Sequence, residues 1–263
     1  MLIDLTGKVG IVTGAAKGIG KEIALTFARE GVRTVGLDVD QDGLATLGRE
    51  FDEAGYQGLQ LAGNVNDPGR VREAVEQVEA AYGRIDILVN NAGVAAGGPV
   101  ETLPVERWDQ NFDSNTRGTF LMSQAVVPTM KRQGSGRIIN AASFAAIVPS
   151  LGGAAYASSK AAVVYFTRVL AGELGPWNIT VNCYAPGMVP TGMNNFDKLP
   201  PDRAAKLLDT LTLRRWGSRA EVAHLVCFLA SDLAGYITGA LIDVSGGKLA
   251  TQRPYAAYPE TGR

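Results

Sequence analysis

The chain has 263 residues, 46% hydrophobic and 19% charged, with a formal net charge of −1. That length suits one large α/β domain, and the near-neutral charge provides no electrostatic footprint for nucleic acid or an anionic membrane surface. Two cysteines (Cys183 and Cys227) and one histidine (His224) give no basis for a disulfide framework, a metal centre or Ser/His/Asp chemistry.

The opening Met1-Leu-Ile-Asp-Leu-Thr-Gly lacks a basic leader and a long apolar stretch. No apolar run is long enough to span a membrane, so a cytoplasmic, reducing compartment is expected. The first predicted strand, Val9–Thr13, runs into T-G-A-A-K-G-I-G, and a helix follows over Gly18–Glu30. Glycines there let the backbone turn sharply and approach a pyrophosphate at the helix N-terminus, where free N–H groups and the dipole favour anions. A bare glycine triplet is weak evidence; a triplet between a first strand and a helix is the required context. The second strand, Thr34–Asp38, ends on a carboxylate placed to bind an adenosine ribose, although a strand-end or capping carboxylate would look the same.

A helix over Asp42–Ala54, a strand over Gly58–Ala62 and a helix over Pro68–Tyr82 come next. The strand Ile85–Asn90 closes on N-N-A-G, which also reads as a simple turn. A single long helix is predicted over Val105–Arg132. Asn115 sits inside it, where an asparagine competes with backbone hydrogen bonding and would ordinarily face solvent. The strand Gly136–Ser143 leads to S-F-A-A-I-V-P-S-L-G-G-A-A-Y-A-S-S-K, whose last part opens a helix over Ala154–Leu174. Tyr156 and Lys160, four apart, share one helix face. Such pairs usually form a solvated face. Here a neighbouring ammonium would lower the phenol pKa, and Ser143 could hold a substrate oxygen, making a proton-transfer site for a carbinol or carbonyl.

The strand Thr180–Ala185 precedes a break in the alternation at 190–216, an expected lid over the sheet edge. A helix over Arg219–Ala230 and a strand over Leu241–Val244 complete the pattern. Residues 250–263 read as an unstructured tail or a strap onto another subunit. Strands alternating with helices imply a single-domain α/β fold, a doubly wound parallel sheet of seven strands with helices on both faces.

These motifs, with V-N-C-Y-A-P-G and the closing T-G-A-L-I-D-V-S-G-G, resemble the short-chain dehydrogenase/reductase family over nearly all of residues 5–249. The resemblance implies a Rossmann-type domain over 1–249 and a catalytic tetrad of Asn115, Ser143, Tyr156 and Lys160. Tyr156 would exchange the proton and Ser143 steady the substrate oxygen. Lys160 would tune the tyrosine and grip the nicotinamide ribose, while Asn115 would kink its helix and help hold a water. Gly14, Lys17, Gly18, Ile19 and Gly20 would cradle the diphosphate. Asp38 would take the ribose hydroxyls, Asn64 and Val65 the adenine, Asn91 the adjoining ribose, and Val189 and Thr191 the carboxamide and diphosphate. Asn64 stands where the family commonly has aspartate.

The resemblance also implies a homo-oligomer, a dimer of dimers, with a small-molecule substrate. Asp38 favours NAD over NADP, because a 2′-phosphate would meet a like charge; Lys17 is the one feature pointing to NADP. The substrate pocket is expected from Ala95–Pro99, Phe144–Gly153 and Met188–Phe196, with Ser143, Phe144, Tyr156, Met188 and Met193 touching substrate. Those segments hold no Lys or Arg, so a neutral secondary alcohol and its ketone are the expected pair. A carrier-linked 3-oxoacyl reductase using NADPH and a non-catalytic dinucleotide-binding regulator are the alternatives.

Overall fold

A computed structural model describes residues 3–258. Seven strands, β1 (Val9–Thr13), β2 (Arg33–Asp38), β3 (Gly58–Ala62), β4 (Ile87–Asn90), β5 (Gly136–Ala141), β6 (Ile179–Pro186) and β7 (Leu241–Val244), form one sheet in the order β3-β2-β1-β4-β5-β6-β7. Every pairing is parallel. The central strands β1, β4 and β5 are buried along their whole length, as continuous apolar runs between two helical layers must be.

The helices are α1 (Gly18–Arg29), α2 (Gln41–Ala54), α3 (Pro68–Tyr82), α4 (Val105–Asn111), α5 (Gly118–Gln133), α6 (Ala154–Leu174), α7 (Pro201–Leu208) and α8 (Arg219–Ala230). One face of the sheet packs Val12, Val89 and Ile139 against Ile23 and Phe27 of α1 and Val222 and Val226 of α8. The other packs Ile11, Leu88 and Ile138 against Val75 and Val78 of α3, Met122 and Val126 of α5 and Leu170 of α6. Between β4, β5 and this second layer runs a buried polar chain. Asn90 Nδ2 donates to Asn140 Oδ1 at 2.9 Å and to Ser123 Oγ at 3.1 Å, and Asn140 Nδ2 donates to Thr167 Oγ1 at 2.9 Å.

Helix starts follow local chemistry. Asp40 caps α2 through the Gly43 N–H, Asp67 caps α3 beside Pro68, and Ser218 and Glu221 form a capping box on α8. The start of α1 has no side-chain cap and no acidic residue in its first turn.

Beyond shifts of one or two residues at element ends, the sequence expectation differs from the structure in three places. The long helix expected over Val105–Arg132 is interrupted: Phe112–Arg117 winds as a π-helix between α4 and α5. The strand expected through Ser143 ends at Ala141; Ala142 N–H still donates to Tyr184 O at 2.9 Å as well as back to Asn140 O at 3.1 Å, before the short turn that Ser143 caps. The 250–258 stretch is not a loose tail. Pro254 is buried and opens a 3₁₀ turn over Pro254–Ala257, and Tyr258 donates its hydroxyl to Thr212 O at 2.7 Å. Residues 259–263 of that expected tail lie outside the described residues. No helix among the described residues is long and apolar enough to cross a membrane.

Candidate active site

The order of the sheet reverses between β1 and β4, and crevices at such a switch point lie beyond the strand C-termini. A cleft of about 410 Å³ opens there. Gly14, Lys17, Gly18 and Ile19 line it from the turn after β1, Asp38 from the end of β2, and Asn64 and Val65 from beyond β3. Asn91 lines it beyond β4, Ser143 after β5, Tyr156 and Lys160 on α6, and Val189 and Thr191 after β6. Met193 also lines it, whereas Phe144 and Met188 do not.

At the turn after β1, Gly14 has φ +68°, and a Cβ there would press on Ala92 Cα at 2.9 Å. Gly20 does not line the cleft. A Cβ on it would sit 2.0 Å from Gly14 O, so its role is to let α1 close onto the turn rather than to touch a phosphate. The uncapped N–H groups of α1 face this turn, a donor set suited to a diphosphate.

Asp38 is held from both sides: Oδ2 accepts from Ala16 N–H at 3.0 Å and Oδ1 from Asp40 N–H at 3.0 Å. Its carboxylate is therefore fixed at the end of the cleft formed by β2 and the glycine turn. Lys17, the feature that pointed to NADP, is an exposed side chain whose ammonium is 3.2 Å from Asp40 Oδ2. Two carboxylates, Asp38 and Asp40, thus flank that end. Asn91 donates Nδ2 to Thr13 O at 3.1 Å and Gly14 O at 3.3 Å, tying β4 to the glycine turn.

At the other end, Ser143 is buried and caps the short turn that begins at Phe144, accepting from Ala145 N–H at 3.1 Å. Tyr156 and Lys160 lie on the same side of α6, with the ammonium 6.0 Å from the ring centroid. The expected depression of the tyrosine pKa does not appear. Burial raises it, opposed only by the Ser143 hydroxyl, because Lys160 Nζ is turned to Ala141 O at 2.8 Å. Lys160 itself is pulled down to about 8 by burial. In this structure the two groups lose more from leaving water than they gain from one another.

Asn115 is fully buried, so the solvent-facing alternative does not hold for it. It lies in the π-helical stretch behind the cleft. Oδ1 accepts from Val94 N–H at 2.9 Å, and Nδ2 donates to Val94 O at 3.0 Å and Ser159 Oγ at 2.9 Å. No water is needed to satisfy the amide. Asn111, also fully buried, repeats the motif one turn earlier, donating to Ala96 O at 2.9 Å and Arg107 O at 2.7 Å. Together they hold the 94–96 loop, whose Val94 lines the cleft. Asn111 escaped the sequence reading, although an asparagine four residues before Asn115 was a visible signal.

Tyr184 was missed as well. It is wholly buried, donates to Asn91 Oδ1 at 3.0 Å and is raised far above an ordinary tyrosine by burial, then by the nearby Tyr156. An aromatic in a buried strand run carries no signal that separates it from core. A third omission is Lys248, whose ammonium stands 5.3 Å from the Phe144 ring centroid. Lys248 lies outside the three local segments and outside the cleft, in a separate cavity, so those segments themselves remain without Lys or Arg.

Cys183 and Cys227 are buried and free, their thiols raised by burial to about 11 and about 12. His224 is exposed on α8, and no cluster able to hold a metal occurs among the described residues.

A family model described as enoyl-(acyl carrier protein) reductase matches residues 14–248. The chain is 40% identical over 243 residues to the 3-oxoacyl-[acyl-carrier-protein] reductase FabG of Thermotoga maritima, covering 92% of this chain and 98% of that protein. It is also 40% identical over 249 residues to the (2S)-[(R)-hydroxy(phenyl)methyl]succinyl-CoA dehydrogenase subunit BbsD of Thauera aromatica, covering 94% and 98% respectively. Among solved structures, an NAD⁺-bound xylitol dehydrogenase superposes with a TM-score of 0.88 at 31% identity, covering 92% of this chain and 99% of that one.

Proposed function

Because the chain belongs to the short-chain dehydrogenase/reductase family, and so is an oxidoreductase acting on CH–OH groups, we propose that it interconverts a 3-hydroxyacyl thioester and its 3-oxoacyl counterpart, with NAD(H) as hydride carrier. The observation that carries the catalytic part is the meeting of Ser143, Tyr156 and Lys160 at one end of a cleft whose other end is the glycine turn and Asp38. A bound nicotinamide dinucleotide supplies or accepts the hydride; the chain does the rest. The α1 N–H groups and the Gly14–Ile19 turn hold the diphosphate, Asp38 accepts from the ribose diol, and Asn64 and Val65 receive the adenine.

Tyr156 Oη delivers a proton to the carbonyl oxygen in reduction and removes it in oxidation. Ser143 Oγ donates to that oxygen as charge develops on it. Lys160 serves as a cation close to the phenol and reaches the ribose by leaving Ala141 O. Asn115 keeps the 94–96 wall in place. The 190–216 segment, with Phe196 stacked on Trp216 at 5.4 Å, closes over the cleft as a lid.

The thioester reading rests on the relatives. Two proteins 40% identical to this chain carry acyl-carrier-protein or coenzyme A substrates in their names, and this outweighs the neutral free alcohol expected from three local segments. The preference for NAD rests on Asp38 and Asp40, with Lys17 occupied by Asp40. Initial rates on acetoacetyl-CoA with NADH and NADPH test both parts. Equal or faster reduction with NADPH overturns the NAD assignment. Turnover of simple secondary alcohols without turnover of acetoacetyl-CoA returns the neutral-alcohol reading.

A further inference from the structure

We infer that the substrate carries an anionic group, a carboxylate or a phosphate ester, and that Lys248 receives it in a cavity beside the catalytic turn. The inference rests on the placement of Ser143 and Tyr156 proposed above. A cavity of about 820 Å³ lies between the end of α7 and residues 248–255, lined on one side by Lys206, Asp209 and Thr210 and on the other by Lys248. Its charges are unbalanced. Asp209 is engaged by Arg214 at 2.6 Å, whereas Lys206 and Lys248 make no ion pair among the described residues. Lys248 Nζ donates to Thr210 Oγ1 at 3.3 Å and stands over Phe144. Its pKa is lowered, and burial is the one cause. A half-buried ammonium held by a hydroxyl and a ring, with no ion-pair partner among the described residues, has unused capacity for an anion.

Phe144 is buried and lines neither this cavity nor the cleft, but it follows Ser143 in the same short turn and its ring centroid is 5.3 Å from Lys248 Nζ, which places Lys248 close to that serine. A substrate whose oxygen sits between Ser143 and Tyr156 and whose tail passes over this turn brings that tail toward Lys248. Lys206, exposed on α7, adds a second cation at the rim. The position of Lys248 on the chain, far from Phe144 in sequence, explains why the local segments read as uncharged.

Matched substrate pairs test the inference. One pair sets acetoacetyl-CoA against acetoacetyl-N-acetylcysteamine, which lacks the phosphates. The other sets 4-oxopentanoate against its methyl ester. In Lys248→Met the anionic-to-neutral ratio of kcat/KM should fall about tenfold in one pair, through KM, the size expected for one charge-assisted contact. Lys248→Arg should keep most of the ratio. The pair that responds identifies phosphate or carboxylate. Ratios within about twofold of the unaltered protein in both pairs would overturn the inference, leaving Lys248 as a packing partner of Phe144. Titration calorimetry with coenzyme A and with succinate decides the matter if no ketone is reduced. About tenfold weaker binding in Lys248→Met supports the site, and unchanged or undetectable binding of both removes it. The catalytic reading fails by a separate result, Tyr156→Phe retaining its rate on the neutral ketones.

Discussion

Replacing Lys160 by methionine should stabilise the fold at neutral pH while abolishing turnover. Lys160 is buried, and its pKa falls from 10.5 to about 8 because burial penalises the cation. At about 1.4 kcal/mol per tenfold change, holding that charge below pH 8 costs the fold about 3 kcal/mol. Methionine removes the cost at nearly equal volume, but it leaves Ala141 O without the donor now at 2.8 Å, a loss of about 1–3 kcal/mol. The expected net gain near pH 7 is therefore about 1 kcal/mol.

The pH dependence gives the test. A cation disfavoured by folding imposes its full cost below the folded value of about 8, and the cost vanishes as pH rises through 8 to the unfolded value of 10.5. Above that range only the lost hydrogen bond remains, so Lys160→Met should become the less stable of the two. Urea unfolding of both proteins, without dinucleotide, at pH 7 and in the alkaline range measures this difference directly. A difference that does not change with pH, or a variant destabilised by more than about 2 kcal/mol at pH 7, refutes the argument.

Tyr156→Phe should lower kcat by about 10²–10⁴-fold with dinucleotide affinity nearly unchanged, and retention of more than about a tenth of kcat removes Tyr156 as the proton-transfer group. Alcohol oxidation by the unaltered protein should rise with pH, because burial holds the Tyr156 phenol above its ordinary value and the phenolate grows steadily on the alkaline side; a flat profile in kcat/KM counts against it. Gly20→Ala should weaken dinucleotide binding more than it weakens the fold, since the new Cβ meets Gly14 O at 2.0 Å and must push the turn; titration by fluorescence reads this, and unchanged affinity would show that the turn yields freely. The protein should be a homo-oligomer, and light scattering giving a mass near 27.7 kDa rejects this. On α5 and α6, Val126, Val163 and Val164 are buried, while Phe120 (43% exposed), Tyr165 (67%) and Val169 (59%) face outward.

What could be read in advance depended on how local the cause was. The ends of α3, α6 and α8 and of β1, β3 and β7 coincide with expectation, because Pro68, Gly153, Ser218 and neighbouring turn residues punctuate the chain where it bends. The cleft residues Ser143, Tyr156 and Lys160 and the glycine turn were legible as motifs, because each motif needs particular residue types at particular spacings. The direction of the Tyr156 shift was not. It depends on how deep the phenol sits and on where Lys160 Nζ finds an acceptor, and neither is encoded within four residues of α6. Nor could Lys248 be assigned to Phe144, since the contact forms only when β7 is laid beside β6. The π-helical stretch was invisible to periodicity, because one added residue in a turn changes a hydrophobic pattern less than ordinary sequence variation does.

That stretch ties the aim of two side chains to the length of the chain more than to its composition. Asn111 and Asn115 grip Ala96 and Val94 from either end of the wider turn. Removing one residue there would let the segment relax into regular α-helix, with better backbone bonding, yet would rotate one asparagine by about 100° relative to the other. Between Phe112 and Arg117 the protein therefore keeps the less comfortable winding, and a deletion too small to disturb the core would release the loop whose Val94 lines the cleft. Point substitutions on its exposed side, at Arg117 for example, leave that winding in place, so the segment should tolerate changes of residue far better than changes of number.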